Sequence, residues 1–377
     1  MKKQIIIFLF FTIHFSSWSQ NTIKTTTPCS DEVLFKTPGR WLKDALLDYS
    51  EGLNLTSTQK KEILNRLDAI HQMMLGLYPH PMALDAAWHH SIGYSTFAEQ
   101  VKYEPNNQGI INRVALKEKP VASFIYSSAF FRYDCNPNKA NEIVRGYPGE
   151  TYTWIYIYAN TLVAAKELRT DDGANLGTIG GYPGCQLQPL IKQIGDFKLR
   201  GIVDKRERWV IIHREGMLPY IPVTRKQYLD LCIAYIERQF DKGITELKEA
   251  PLPFDDNENR EMRDQQIANS IQSRDAAPRR HREELGKNTH AGTLELPAIV
   301  NGSFSALTSD VPIFVSEQEG WTLVTENPDY MRKDLPKYVP QFFVVEWTWD
   351  DWPPQADLAK LIEERFPFEK LQAMIDK

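Results

Sequence analysis

Neither His-Glu-x-x-His nor Gly-x-Ser-x-Gly occurs anywhere in the 377 residues, and the dinucleotide and P-loop glycine patterns are missing too. That excludes the usual signatures of zinc peptidases, α/β-hydrolases and phosphate-cradling loops. Positive charge is also short: 44 Lys plus Arg stand against 49 Asp plus Glu, a net charge of -5. A nucleic-acid partner needs a positive field that this chain does not carry, so none is expected. Cysteine is limited to four positions, and no apolar run approaches the roughly 18 residues that span a bilayer. What remains is an ordinary globular composition, 42% apolar and 25% charged. At about 150 residues per domain the chain suffices for two or three.

The longest apolar stretch, Ile5–Phe15, follows Lys2 and Lys3 and precedes Ser17-Trp18-Ser19. A basic start, a short apolar segment and small residues at the two cleavage-determining positions predict a secretory signal peptide over 1–19. The mature chain is then expected to be soluble, without a transmembrane segment, and periplasmic or secreted. Cys29, Cys135, Cys185 and Cys232 all lie in the exported part, where an oxidising environment permits two disulfides in three connectivities. Cys232 shares a helical stripe with Leu229, Ile236 and Phe240 and reads as a small core residue. Cys135, in the turn Asp134-Cys135-Asn136-Pro137, and Cys185, in a glycine-rich loop, are the pair expected to bridge.

Residues 20–55 are polar and read as an extended arm. From 56 to 245 the periodicity predicts a domain of its own. Ile63, Leu67, Ile70, Met74 and Leu77 recur at helical spacing behind a cap at Ser57 or Thr58. Val121–Tyr133 and Thr151–Leu162 alternate as strands, followed by Phe197–Val203, Arg208–His213 and Met217–Val223. Thr224 caps a second helix running to about Phe240. The stretch 246–291 is charged and poor in aliphatics, so it predicts a linker or a solvated helix pair. Within 292–377, strands at Pro312–Val315, Trp321–Thr325 and Gln341–Thr348 and a closing helix over Asp357–Met374 predict a smaller unit. Because strands come in runs between helices, the expected class is α+β: an antiparallel sheet packed against helices, with a second smaller α+β unit.

The block Trp209–Arg225, with Asn327-Pro328-Asp329-Tyr330 and Pro340–Val345, resembles an uncharacterised family of exported proteins of Gram-negative bacteria, chiefly the Bacteroidota. The resemblance implies export and architecture; it carries no activity and no catalytic residues.

Several constellations offer chemistry, each with a plainer competitor. Asp85, His89 and His90 put a carboxylate and an imidazole four residues apart, which on a helix shares one face and suggests a metal site. The adjacent histidines diverge on any regular helix, and a third ligand at a recognisable spacing is missing. Cys185 with His213 as base would make a thiol nucleophile, but export favours a disulfide or a buried thiol. Ser57-Thr58-Gln59-Lys60 matches Ser-x-x-Lys without its companion motifs, at a position where a helix cap is needed. Arg279-Arg280-His281-Arg282 is a basic clump beside Glu283 and Glu284, read as a solvated face. Trp347, Trp349 and Trp352 with Asp350 and Asp351 form the most ligand-like patch, since indole faces stack on sugar rings while carboxylates accept hydroxyl protons; core packing with Phe343 and Val345 is the competitor.

The expected function is therefore a non-catalytic cell-envelope binding or assembly module with a glycan or protein ligand and no cofactor. The rival is a hydrolase of an envelope polymer, working through carboxylates or the Asp85, His89 and His90 group.

Overall fold

A computed structural model describes residues 22–377 apart from 52, 96, 98–100, 106–110, 116–120, 146–150, 163–165, 168–177, 180, 203, 253, 255–256, 288–291 and 302–311. Residues 1–19, expected to be a signal peptide, lie outside the described residues, as do Gly173, Gly177 and Gly180. The fold is α+β, as the runs of strands between helices predict.

An eleven-stranded sheet is organised around the long strand Val121–Cys135. One flank of that strand pairs with Leu84–Ser95, and its last residues pair with Glu142–Arg145. On the other flank follow Trp154–Ala159, Phe343–Thr348, Glu207–Ile212, Phe197–Ile202 and Leu190–Ile194, all antiparallel. A second sheet of six strands is centred on Gly320–Glu326, with Tyr182–Leu187 on one side and Tyr220–Pro222 and Ile299–Asn301 on the other. Strands from before and after 246–291 thus interleave in both sheets. The boundary expected at 292 does not separate two units, because the hydrophobic pattern marks a strand without naming its neighbours.

Alternation of side chains sorts the core into layers. Ile155, Ile157, Val210, Phe343 and Val345 face the helix Ser57–Leu77 and the C-terminal helices Pro353–Arg365 and Phe368–Gln372. The other sheet face carries Tyr158, Trp209, Ile211 and Val344 against Leu187 and Val324 of the second sheet. That sheet in turn presents Leu323 and Val300 to Leu229, Cys232 and Ile236 of the helix Arg225–Glu249. The order is helix, sheet, sheet, helix, and each fully buried aliphatic or aromatic side chain in it is worth about 1.5–3 kcal/mol.

Helix starts follow their caps. Thr56, one residue before the expected Ser57 or Thr58, and Thr224 each accept from the N3 amide, and Gln59 and Gln227 return the bond to complete capping boxes. The charged stretch forms the helices Asn257–Ala276, with no buried residue, and Arg279–Lys287. Pro312–Val315 gives only an isolated bridge, Val300 to Phe314, and Pro367 divides the closing helix. Among the described residues no helix is long and apolar enough to cross a membrane.

The arm expected to be extended is docked. Thr22–Lys24 pairs with Glu142–Arg145, and Trp41–Lys43 and Leu47–Asp48 run parallel to Leu84–Ser95. Cys29 is bonded to Cys135, with 5.6 Å between their Cα atoms. This corrects the expected Cys135–Cys185 bridge. Val121–Cys135 stays extended to its last residue and delivers Cys135 to the arm, whereas Cys185 is buried between the two sheets and takes no part in a disulfide.

Candidate functional site

The segment Thr151–Ala159 reads Thr-Tyr-Thr-Trp-Ile-Tyr-Ile-Tyr-Ala. Period two sends Ile155, Ile157 and Ala159 into the helix-side core, where none is exposed, and leaves aromatics at 152, 154, 156 and 158 on the opposite face. The rings of Trp154, Tyr156 and Tyr158 form a ladder, with Tyr152 beyond its open end. Trp154 stacks on Tyr156 with centroids 5.9 Å apart and planes 7° from parallel, and Tyr156 stacks on Tyr158 at 5.6 Å and 18°. Exposure is graded along it: Tyr152 is 74% exposed and Tyr158 only 9%, with Trp154 and Tyr156 between.

The backbone at the open end is tied down. The Trp154 indole N–H donates to Thr151 O at 3.0 Å, the Thr151 hydroxyl to Phe130 O, and the Thr348 hydroxyl to Tyr152 O at 2.6 Å. A platform held this way presents its rings with little ordering entropy left to lose.

Register then fixes the cross-strand rows on this face. The outermost holds Asp85, Phe131 and Tyr152, since Phe130 N–H donates to Thr153 O and continues the pairing. Next come Ala87, Ala129, Trp154 and Thr348. The two alanines leave room beside the indole, which packs on them and on Phe131. The third row runs His89, Ser127, Tyr156, Glu346, Trp209 and Arg200, and one row deeper Tyr158 pairs with Ile125 and Val344.

The inner rows are electrostatically settled. Burial holds His89 below its usual pKa, so its ring is neutral, and the Ser127 hydroxyl lies 2.9 Å from Nε2. Burial and the Glu346 carboxylate push Tyr156 up to about 12 and Tyr158 well above the ordinary phenol value. Both phenols are therefore donors at any ordinary pH. Arg200 donates to Gln188 O and pairs with Glu317, a carboxyl that Lys198 and Arg200 hold low against its own burial. The arrangement can stack, donate and accept. It sets no activated nucleophile against a base.

The sequence-predicted residues are placed otherwise. Trp347 is 1% exposed in the helix-side core. Trp349 lies under the Arg208 guanidinium at 5.1 Å, and Trp352 meets the edge of Phe35 at 5.6 Å. Asp350 and Asp351 both pair with Arg206. The five do not make one face. Asp85, His89 and His90 lie on the strand Leu84–Ser95 rather than on a helix, so the pleat sends His90 to the face opposite the other two, and the three donors do not converge. No group of three His, Cys, Asp or Glu side chains arranged for a metal exists among the described residues.

His90 belongs instead to a buried cluster under the helix Ser57–Leu77. His71 stacks on Trp88 at 3.8 Å, and its Nδ1 lies 3.1 Å from the Tyr126 hydroxyl. His90 Nε2 stands 3.9 Å from Asp68, and Lys43 Nζ 4.9 Å over Trp88. Burial lowers both His71 and His90 to about 4, so both are neutral.

Cys185 sits in the inter-sheet core, while His213 Nδ1 is 2.7 Å from Arg214 O against Phe197. Ser57 opens its helix, and Lys60 pairs with Asp48 at 2.7 Å. Arg279 and Arg282 pair with Glu283 and Glu237. The three segments of the exported-family resemblance meet at Arg214. Its guanidinium donates to Tyr330 O, to Gln341 Oε1 and to Asp376, a clamp on the chain's last turn.

Sequence reasoning missed the ladder, although its signal, four aromatics at 152, 154, 156 and 158, was present. No protein-family model, no curated protein and no solved structure matches this chain.

Proposed function

We propose that the chain is an exported, non-catalytic binding module of the cell envelope whose ligand is a glycan. The observation that carries this reading is the graded aromatic row Tyr152, Trp154, Tyr156 and Tyr158, its last three rings stacked. Tyr152 and the Trp154 face turned away from Tyr156 offer π-faces to the C–H faces of pyranoses, and the stack on Tyr156 keeps the indole from turning away. Tyr152 and Trp154 receive sugar rings, while the buried rungs and Glu346 hold the platform rigid. Export is supported by the Cys29–Cys135 bond, which persists in oxidising compartments.

Co-sedimentation with insoluble peptidoglycan sacculi tests the reading. Wild type and Trp349→Ala are expected in the pellet, and Tyr152→Ala and Trp154→Ala in the supernatant, since loss of one stacking aromatic removes about 0.5–1.5 kcal/mol beyond its buried area. Equal retention of all four, or retention of none, would dismiss the ladder as a glycan site.

A further inference from the structure

The glycan reading leaves open which class of glycan, and the outermost row bears on that. Asp85, at the end of this row, has a side chain only 5% exposed. It accepts from the Tyr133 hydroxyl at 2.6 Å and from the Arg40 backbone N–H at 3.0 Å. Two guanidinium groups also converge on it: Arg145 Nε at 3.0 Å and Arg40 Nη2 at 3.4 Å. One cation suffices to neutralise one carboxylate. The longer contact belongs to Arg40, whose side chain is 45% exposed and whose backbone already ties the arm to Asp85. Its guanidinium gives one N–H to Asp85 at 3.4 Å and keeps its remaining donors.

Neighbouring described charges do not absorb the surplus. Arg132 pairs with Asp134 at 3.3 Å and Lys139 with Glu142 at 3.1 Å. Among the described residues the cluster keeps one unit of positive charge, half open to solvent. Its distance from the ladder follows from the register. Asp85 and Tyr152 are two strands apart, about 10 Å at twice the interstrand spacing, which is the reach of a disaccharide.

Resting on the glycan reading, we infer that the ligand is an acidic glycan, one sugar ring stacked on Tyr152 and Trp154 and a carboxylate received by Arg40 and Arg145. Arginine suits this task because its planar fork meets a carboxylate with two parallel N–H donors and stays charged at every relevant pH. Asp85 holds Arg40 by a hydrogen bond and Arg145 by an ion pair at 3.0 Å, both present in the free protein. Net negative charge elsewhere on the molecule disfavours acidic polymers, so attraction is confined to this corner.

The test compares intact sacculi with sacculi whose carboxylates have been capped as methyl amides, leaving the sugar chain unchanged. Wild type is expected to bind the capped polymer at least about tenfold more weakly, the worth of one charge-assisted hydrogen bond. Arg40→Gln and Arg145→Gln are expected to fall to that same level on intact sacculi and to lose nothing further on capped ones. Arg145→Lys restores part of the difference. Melting curves accompany each variant, and Arg40→Gln, at the more exposed position, carries the test if Arg145→Gln does not fold. Equal binding to intact and capped sacculi, with Tyr152→Ala still defective on both, overturns the acidic assignment and leaves the glycan reading standing. Failure of wild type on both polymers overturns the two together.

Discussion

Lowering the pH from 7 to 5 is expected to destabilise this protein sharply, through three buried imidazoles. His71, His90 and His281 each titrate near 4 in the folded chain, burial being the main cause in every case. Unfolded, each returns to about 6.5. A base whose folded pKa is depressed lends its stability in full above the unfolded value and loses it as pH falls towards the folded one, so the window is 6.5 down to 4. At pH 5 the linkage relation gives about 2 kcal/mol per histidine, or about 6 kcal/mol for three. That rivals the 5–15 kcal/mol typical of a whole domain. Asp68 and Lys43, which face His71 and His90, oppose each other in these shifts and do not cancel the burial. Asp48, held down to about 2 by Lys60 and Ser50, loses its contribution only below its unfolded value near 4, outside this window. Urea melts at pH 7, 6 and 5 measure the effect. A midpoint that falls steeply, and a slope reduced by about a third in His90→Gln, are expected; a midpoint unchanged between pH 7 and 5 would refute the reasoning.

Two further expectations concern the covalent and apolar supports. Cys29 and Cys135 are 106 positions apart, a loop for which the chain-entropy model gives about 4.7 kcal/mol. The double serine variant should lose several kcal/mol in guanidinium melts, and a loss under about 1 kcal/mol would show that the docked arm holds without its bond. Trp347→Ala should cost about 3–5 kcal/mol as a cavity in the helix-side core, whereas Trp349→Ala, at a half-buried site, should cost much less. Equal costs in thermal melts would contradict the assignment of Trp347 to the core.

Local physics was legible in this sequence where one face of an element is apolar. Ile63, Leu67, Ile70 and Met74 marked a helix because that stripe has one solution, and Thr224 marked the start of another. Strand pairing was not legible. Phe343–Thr348 reads as a strand from its own residues, but nothing in them says that it inserts between Trp154–Ala159 and Glu207–Ile212. The same limit hid the Cys29 partner, which depends on where the arm lands. The four-residue spacing from Asp85 to His89 suits one face of a helix, but the period-two run Leu84, Ala86, Trp88 is what buries this segment, as a strand. For the site, Trp347 and Trp349 drew attention by residue type, yet a run of three tryptophans says nothing of depth. The ladder at 152–158 was carried by the same alternation that predicted its strand.

Hydroxyl-radical footprinting with soluble peptidoglycan fragments bears most directly on the binding face. Protection should concentrate at Tyr152 and Trp154, while Phe254, 73% exposed on the far helical hairpin, stays as reactive as in the free protein. Unchanged labelling of Tyr152 and Trp154 at saturating fragment would contradict a glycan site on this sheet.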